Sequence, residues 1–361
     1  MSASQGEVHT ILRSRVVDWS LGRMSLVGAA EDPNRLESGG VRIRLFDADR
    51  TDRVLTLDSA LAARPTARQL LWVDLPGETD PEQIRALVGH FNLDVGTEQA
   101  LASPSTQPHV ELHGQHFHLR LAAEPDPKHP ADADWLDVVA APNVVITSHA
   151  KALTFLAAMD ERIATDASIG ELDSAEFVAA MLDAVVTTYH GAIDGIEDEL
   201  DEVDSKALAR QETTELFARL VGIRRRIGRL RRLLAAHREL FAVLGRPDFG
   251  RGIATVDPNV FLAVAARFEG AIQSLESTRE VALGSFDILM TRTAQRTNDV
   301  MRVLTLATVL ALPATLTAGF LGMNVIVPVP NQDPAAFWLI LGAVVLFEVA
   351  ALAIARWRGW I

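Results

Sequence analysis

The sequence predicts an α+β membrane protein: a strand-and-helix domain, then helices that deliver one long helix into a bilayer, and a second span behind it. Three observations predict this. Val303 to Leu321 is a 19-residue run without a charge, and Phe337 to Ala355 is another 19 interrupted only by Glu348. At 1.5 Å per residue each reaches about 28 Å, the hydrocarbon thickness of a bilayer, so both read as transmembrane helices. Upstream, no convincing stop separates Pro258 from Leu321, and these 64 residues read as a single helix of about 96 Å, far longer than a membrane requires. Before residue 172, short apolar runs bounded by turn residues read as strands.

Taken in order, residues 1–40 carry weak signals and end in Glu37-Ser38-Gly39-Gly40, a loop. Val41 to Phe46 alternates, and Leu70 to Leu75 is an apolar run closed by Pro76-Gly77, so both are expected as strands. Asp80-Pro81 opens a helix toward His90, with Asp80 as N-cap and Pro81 in the first turn. His116 to Leu121, Trp135 to Val139 and Val144 to Thr147 are further strands. Strands alternating with helices indicate an α/β unit over residues 1–172.

From Asp173 the pattern is helical. A first helix ends in Glu197-Asp198-Glu199-Leu200-Asp201-Glu202-Val203-Asp204, and a second, from about Thr213 to Leu244, holds the basic run Arg224 to Arg232. Antiparallel pairing predicts a helical hairpin over 173–256 with a charged seam. The long helix divides by environment into a stalk, 257–302, and the first span, 303–321; a loop, 322–336, the second span, 337–355, and a basic tail, 356–361, follow. Phe261, Ala265, Phe268, Ile272, Leu275, Ala282, Phe286 and Leu289 recur at spacings that make a packing seam. A second face mixes polar and small residues down into the span: Asp287, Ala294, Asn298, Met301, Leu304 or Thr305, Leu312, Thr315 and Gly319. Such a stripe can line an axis or mediate helix packing. Two spans do not enclose a pore, so a conduit requires a ring of copies, each donating one helix. Pro313 fits that arrangement, because the carbonyl it deprives of a helical donor needs a neighbouring helix or water.

Charge bounds the partners. A net charge of −13 argues against nucleic acid and favours attraction of cations. There is no cysteine, hence no thiolate metal site. Met1 to Arg15 has no apolar core, so no signal peptide is expected. Arg292, Arg296 and Arg302 precede the first span, Arg356 and Arg358 follow the second, and the loop between has no Lys or Arg, which puts both termini in the cytoplasm and 322–336 outside. His109, His113, His116 and His118 cluster, and His116 with His118 would share a strand face as zinc ligands can, but no third ligand is fixed by spacing. No Gly-x-Ser-x-Gly elbow or phosphate loop suggests an enzyme.

Asn298 to Thr305, then Pro313, then Gly319-Phe320-Leu321-Gly322-Met323-Asn324, and a second span ending in Arg356-Trp357-Arg358-Gly359-Trp360, resemble the CorA family of divalent-cation channels; Trp72-Val73-Asp74 and Val144 to Thr147 resemble its cytoplasmic domain. The resemblance implies a cyclic homopentamer in the cell membrane, an αβα cytoplasmic domain, and a stalk helix continuous with the pore helix. Gly322, Met323 and Asn324 would form the selectivity filter, with Asn298, Met301, Leu304, Leu312, Thr315 and Gly319 lining the pore. Five copies of Asn324 would offer neutral amide oxygens to the waters of hydrated Mg²⁺, which gives up its first shell reluctantly. The implied function is Mg²⁺ uptake, with Co²⁺ and Ni²⁺ as further substrates, and no organic cofactor. Three departures bear on it. Val325 to Pro330 and Asp333 make the mouth acid-poor; the family's stalk aspartate falls on Ala263, leaving Asp257, Glu269 or Asp287 as regulatory-metal candidates; and Glu348 sits inside the second span, either as a proton site or as a neutral interhelical hydrogen bond, for instance to Thr308 at similar depth. The alternative they raise is a proton-coupled Zn²⁺ transporter of the related ZntB type.

Overall fold

The computed structural model describes residues 41–77, 80–102, 105–125, 133–163, 173–209, 213–249, 258–322 and 334–359. Two compact units emerge, Met1–Val203 with Ala218–Leu283, and Asp204–Phe217 with Gly284–Ile361.

The first unit is built on β1 (Arg42–Asp47), β2 (Arg53–Val54), α1 (Leu57–Ala62), β3 (Gln69–Pro76), α2 (Pro81–His90), α3 (Val95–Ala102), β4 (His109–His113), β5 (His116–Glu124), β6 (Asp134–Ala141), β7 (Val144–His149) and α4 (Thr154–Ile163). The sheet order is β2-β1-β3-β7-β6-β5-β4. Only β3 and β7 pair in parallel; every other neighbour is antiparallel. The alternation of strands and helices expected for an α/β unit therefore holds only for its first half. From β4 onward successive strands are joined directly, and the turns at Gly114 (φ 25°) and Asn143 (φ 59°) take up the left-handed backbone that sharp reversals need.

Alternation along the strands sorts the two faces. Ile43, Leu45, Leu71, Val73 and Ile146 pack against Ile84 and Leu87 of α2 and Leu101 of α3. On the other face Phe46 and Trp72 meet Phe177, at ring distances of 6.0 and 5.6 Å. Phe177 belongs to α5 (Ser174–Leu208), so helices cover both faces. Each such buried side chain contributes about 1.5–3 kcal/mol. Asp80 caps α2 as the sequence requires, accepting from the Glu82 amide at 2.9 Å with Pro81 in the first turn.

Helices α5 and α6 (Thr213–Leu244) run antiparallel, and the charged seam forms: Arg219 pairs with Glu202 at 2.6 Å, and Arg226 with Glu199. Both helices also hold β5 where its register shifts. The Tyr189 hydroxyl donates to the Ala122 carbonyl, and His237 Nε2 accepts from the Ala122 amide at 2.8 Å. His237 Nδ1 donates to the Leu233 carbonyl, and burial pushes this imidazole down toward its neutral form.

The clustered histidines go to separate partners. His116 Nε2 lies 3.1 Å from Thr97 Oγ1, and His118 Nε2 lies 3.0 Å from the Asp137 carboxylate. Burial and the stacked His113 push His116 down. Among the described residues no group of three His, Asp or Glu is arranged to hold a metal.

Candidate functional site

The chemistry of the carboxyl-terminal third rests on α7 (Pro258–Leu321) and α8 (Pro334–Trp357). The limits of α7 are those the sequence predicts. Its packing seam is real as far as it extends: Phe261, Phe268, Leu275, Ala282 and Leu289 are buried, and Phe268 stacks on Phe241 of α6 at 4.0 Å. After Leu289 the seam stops, and Met290 through Thr305 are all exposed. The helix thus changes from one that finds its neighbours in its own chain to one that presents every side.

One side carries the predicted stripe. At about 100° per residue, Met301, Leu304, Leu312, Thr315 and Gly319 fall within an arc of about 80°, and Asn298 and Asp287 widen it to about 120°. All of them are exposed, with Met301, Leu304 and Leu312 at 55%, 60% and 56%. Thr308 belongs to the same arc and was missed as a member of the stripe. The signal for it is plain in the spacing, since Leu304, Thr308, Leu312, Thr315 and Gly319 follow one another by four, four, three and four residues.

The hydroxyls on this helix are already oriented. Thr305, Thr308, Thr315 and Thr317 each donate to the carbonyl four residues earlier, at 2.7 to 2.9 Å. With the proton committed to the backbone, the oxygen of Thr315 or Thr308 is left as an acceptor. Water bound to a cation is a donor, so these hydroxyls have the polarity that a hydrated cation requires and an anion does not.

At the end of α7 the Gly322 amide donates to the Ala318 carbonyl at 2.9 Å, and a Cβ at this position would lie 3.1 Å from that same oxygen. A side chain there would crowd that carbonyl, whereas a Cβ at Gly319 would meet nothing within 4 Å. Gly319 is therefore free of local packing reasons, and its smallness leaves room along the stripe. Met323, Asn324 and Asp257 lie outside the described residues.

The remaining candidates divide. Asp287 is exposed on the stripe. Glu269 is committed: both its oxygens accept from Arg238 at 3.1 Å, and the carboxylate raises the arginine further above its ordinary value. Glu348 is half-buried on α8, and among the described residues no hydrogen bond or ion pair reaches it. Thr308, the partner expected for it, spends its proton on the Leu304 carbonyl and can serve Glu348 only as an acceptor.

Two helices long and apolar enough to cross a membrane, one of them continuous with a helix of the sheet unit and carrying an acceptor-rich stripe, are the features of a two-span membrane protein. Residues 67–356 match the model of the CorA-like Mg²⁺ transporter proteins, and the chain belongs to that family. It is 24% identical to the cobalt/magnesium transport protein CorA of Methanocaldococcus jannaschii over 81% of this chain and 92% of that one. It is 28% identical to the divalent cation transporter CmaX of Pseudomonas aeruginosa, over 73% and 75%. The complete structure of the M. jannaschii CorA magnesium transporter superimposes with a TM-score of 0.68 at 21% identity, covering 89% of this chain and 99% of that one. The cytoplasmic domain of ZntB from Vibrio parahaemolyticus shares the fold at a TM-score of 0.55 and 12% identity, over 71% of this chain and 99% of that one.

Proposed function

We propose that the protein conducts hydrated Mg²⁺, with Co²⁺ and Ni²⁺ as further substrates, into the cell through a ring of five copies whose α7 helices surround the ion path. The observation that carries this reading is the unbroken helix Pro258–Leu321, whose acceptor-bearing stripe leads without a charge from Leu304 to Gly319 and then to Gly322-Met323-Asn324. Membership of the CorA-like Mg²⁺ transporter family supports the choice of cation. In this arrangement the Asn324 amide oxygens accept from the waters of the incoming ion, Thr315 and Thr308 continue those contacts, and Leu312, Leu304 and Met301 narrow the path with apolar side chains that close it by dewetting. Asn298 and Asp287 stand at its inner end. Both chain termini face the cytoplasm, and the membrane potential drives the cation inward. Asp287 and Asp257 are the carboxylates left to sense internal Mg²⁺, since Glu269 is held by Arg238.

The test is flux into liposomes containing the purified protein. Mg²⁺ entry that requires no pH gradient and is lost in Asn324→Ala supports the reading; passage of another cation with no Mg²⁺ overturns it, and retention of full flux in the variant overturns the filter assignment.

A second reading, a Zn²⁺ transporter of the ZntB type, is favoured by one specific feature, Glu348 within a span, which no hydrogen bond or ion pair reaches among the described residues. A carboxylate inside a span is rare and marks the kind of position a proton-coupled transporter would use. Zn²⁺ flux that rises with an inward proton gradient and is lost in Glu348→Gln would establish this reading instead.

A further inference from the structure

We propose that the arginines at the ends of the two spans form a binding surface for the phosphate headgroups of anionic phospholipids, on the side of α7 turned away from the ion path. The proposal rests on the membrane reading above but not on the identity of the transported ion. On the same helical projection that gathers the stripe into one arc, Arg292, Arg296 and Arg302 lie in an opposing arc of about 120°. They are exposed, and so are Arg356 and Arg358 at the end of α8, on either side of Trp357, which is 85% exposed. Because α7 and α8 each cross once, both groups of arginines arrive at the same membrane surface.

Their charge is largely uncommitted within the chain. Arg302 makes a loose pair with Asp299 at 3.7 Å, and Arg292 Nη1 lies 3.4 Å from Gln295 Oε1. Among the described residues no ion pair reaches Arg292, Arg296, Arg356 or Arg358. The contrast with the rest of the molecule is one of sign. From Gly284 onward there are five arginines and four acidic residues, so the formal charge of −13 is carried entirely by the residues before it. Guanidinium groups at the ends of the spans supply the positive charge that an anionic leaflet attracts. Guanidinium binds phosphate through two parallel hydrogen bonds, and an exposed indole between two arginines sits at headgroup depth. At the other membrane surface Trp338 is 67% exposed, yet no Lys or Arg occurs between Val303 and Ala355, so the preference belongs to one leaflet alone.

The experiment uses the full chain in phosphatidylcholine vesicles containing graded fractions of brominated phosphatidylglycerol or brominated phosphatidylcholine, with quenching of tryptophan emission as the readout. The expected result is preferential quenching by phosphatidylglycerol that weakens in high salt. The affinity for phosphatidylglycerol relative to phosphatidylcholine, taken from the graded series, should fall by about fivefold for each arginine removed in Arg292→Gln/Arg296→Gln/Arg302→Gln and in Arg356→Gln/Arg358→Gln. Arg356→Lys/Arg358→Lys, which keeps the charge, should retain most of it. Arg224→Gln/Arg225→Gln, on the exposed side of α6, is the control and should retain all of it. Equal quenching by the two lipids in the parent, or an equal fall in the control, overturns the proposal while leaving the membrane reading intact. No quenching by either lipid overturns both.

Discussion

In the sheet unit Asp74 is 1% exposed and surrounded by donors: Thr147 at 2.7 Å and His149 at 3.1 Å reach one oxygen, and Arg42 reaches the other at 2.9 and 2.5 Å through two nitrogens. Along the first span the threonine hydroxyls fold back on their own helix, as the Thr315 hydroxyl does on Ala311, and most other side chains are exposed. The described side chains of the sheet unit find their partners largely within the same chain. The helices of the span unit obtain their surroundings from outside it, from lipid on one side and, in the proposed ring, from other copies and the ion on the other. A substitution in the first should therefore be read out as stability, and one in the second as transport.

The largest expected effect is in the second unit. Asn324→Ala should lower Mg²⁺ flux into liposomes by at least about tenfold, the scale of losing a principal filter contact, while the melting temperature of the sheet unit stays unchanged. A fall in both would break the division. Next, Asp74→Ala should destabilise the first unit by about 1–3 kcal/mol, because it leaves the buried Thr147 hydroxyl and His149 ring nitrogen without their partner; chemical denaturation measures it. Flux per folded molecule should be retained.

Leu304→Ser tests the apolar narrowing. A hydroxyl in place of an isobutyl group wets the constriction, and basal Mg²⁺ flux should rise severalfold over the parent, with stability unchanged.

A smaller effect is expected from pH. Burial lowers His237 and His116 from their ordinary value, so each favours the neutral form in the fold. The stability they contribute is complete above the unfolded value of about 6.5 and is lost as pH falls below it. Asp74 behaves likewise at more acid pH: burial raises its pKa, but the hydrogen bond and charge of His149, with Arg42 and Thr147, outweigh this and hold it lowered. Its contribution is present above the unfolded value of about 3.9 and is lost as pH falls through the folded one. The melting temperature should thus be lower at pH 5 than at pH 7, and His237→Gln should remove part of that difference. The smallest effect is Glu348→Gln, which under passive Mg²⁺ conduction should leave flux and its pH dependence unchanged; a loss of pH dependence would instead bring in proton coupling.

Sequence alone determined the parts of this protein whose causes are local. The spans follow from length and absence of charge, the limits of α7 from a proline start and an uninterrupted pattern, and the stripe from spacing along that helix, although Thr308 was overlooked within it. The cap at Asp80 and the charged seam between α5 and α6 are likewise set by neighbours in sequence or by complementary runs. Only the tertiary structure decided which strands meet. That β3 lies beside β7 in parallel, and that α5 and α6 both hold Ala122, depends on pairing between residues 65 or more positions apart, for which no short pattern exists. The same holds for the histidines. Spacing groups His116 with His118, but Thr97 and Asp137, brought in by other elements, give each imidazole its own hydrogen bond and its own role. Periodicity fixes the face a side chain occupies, while the partner on that face is supplied by a distant segment whose arrival only the packed fold determines.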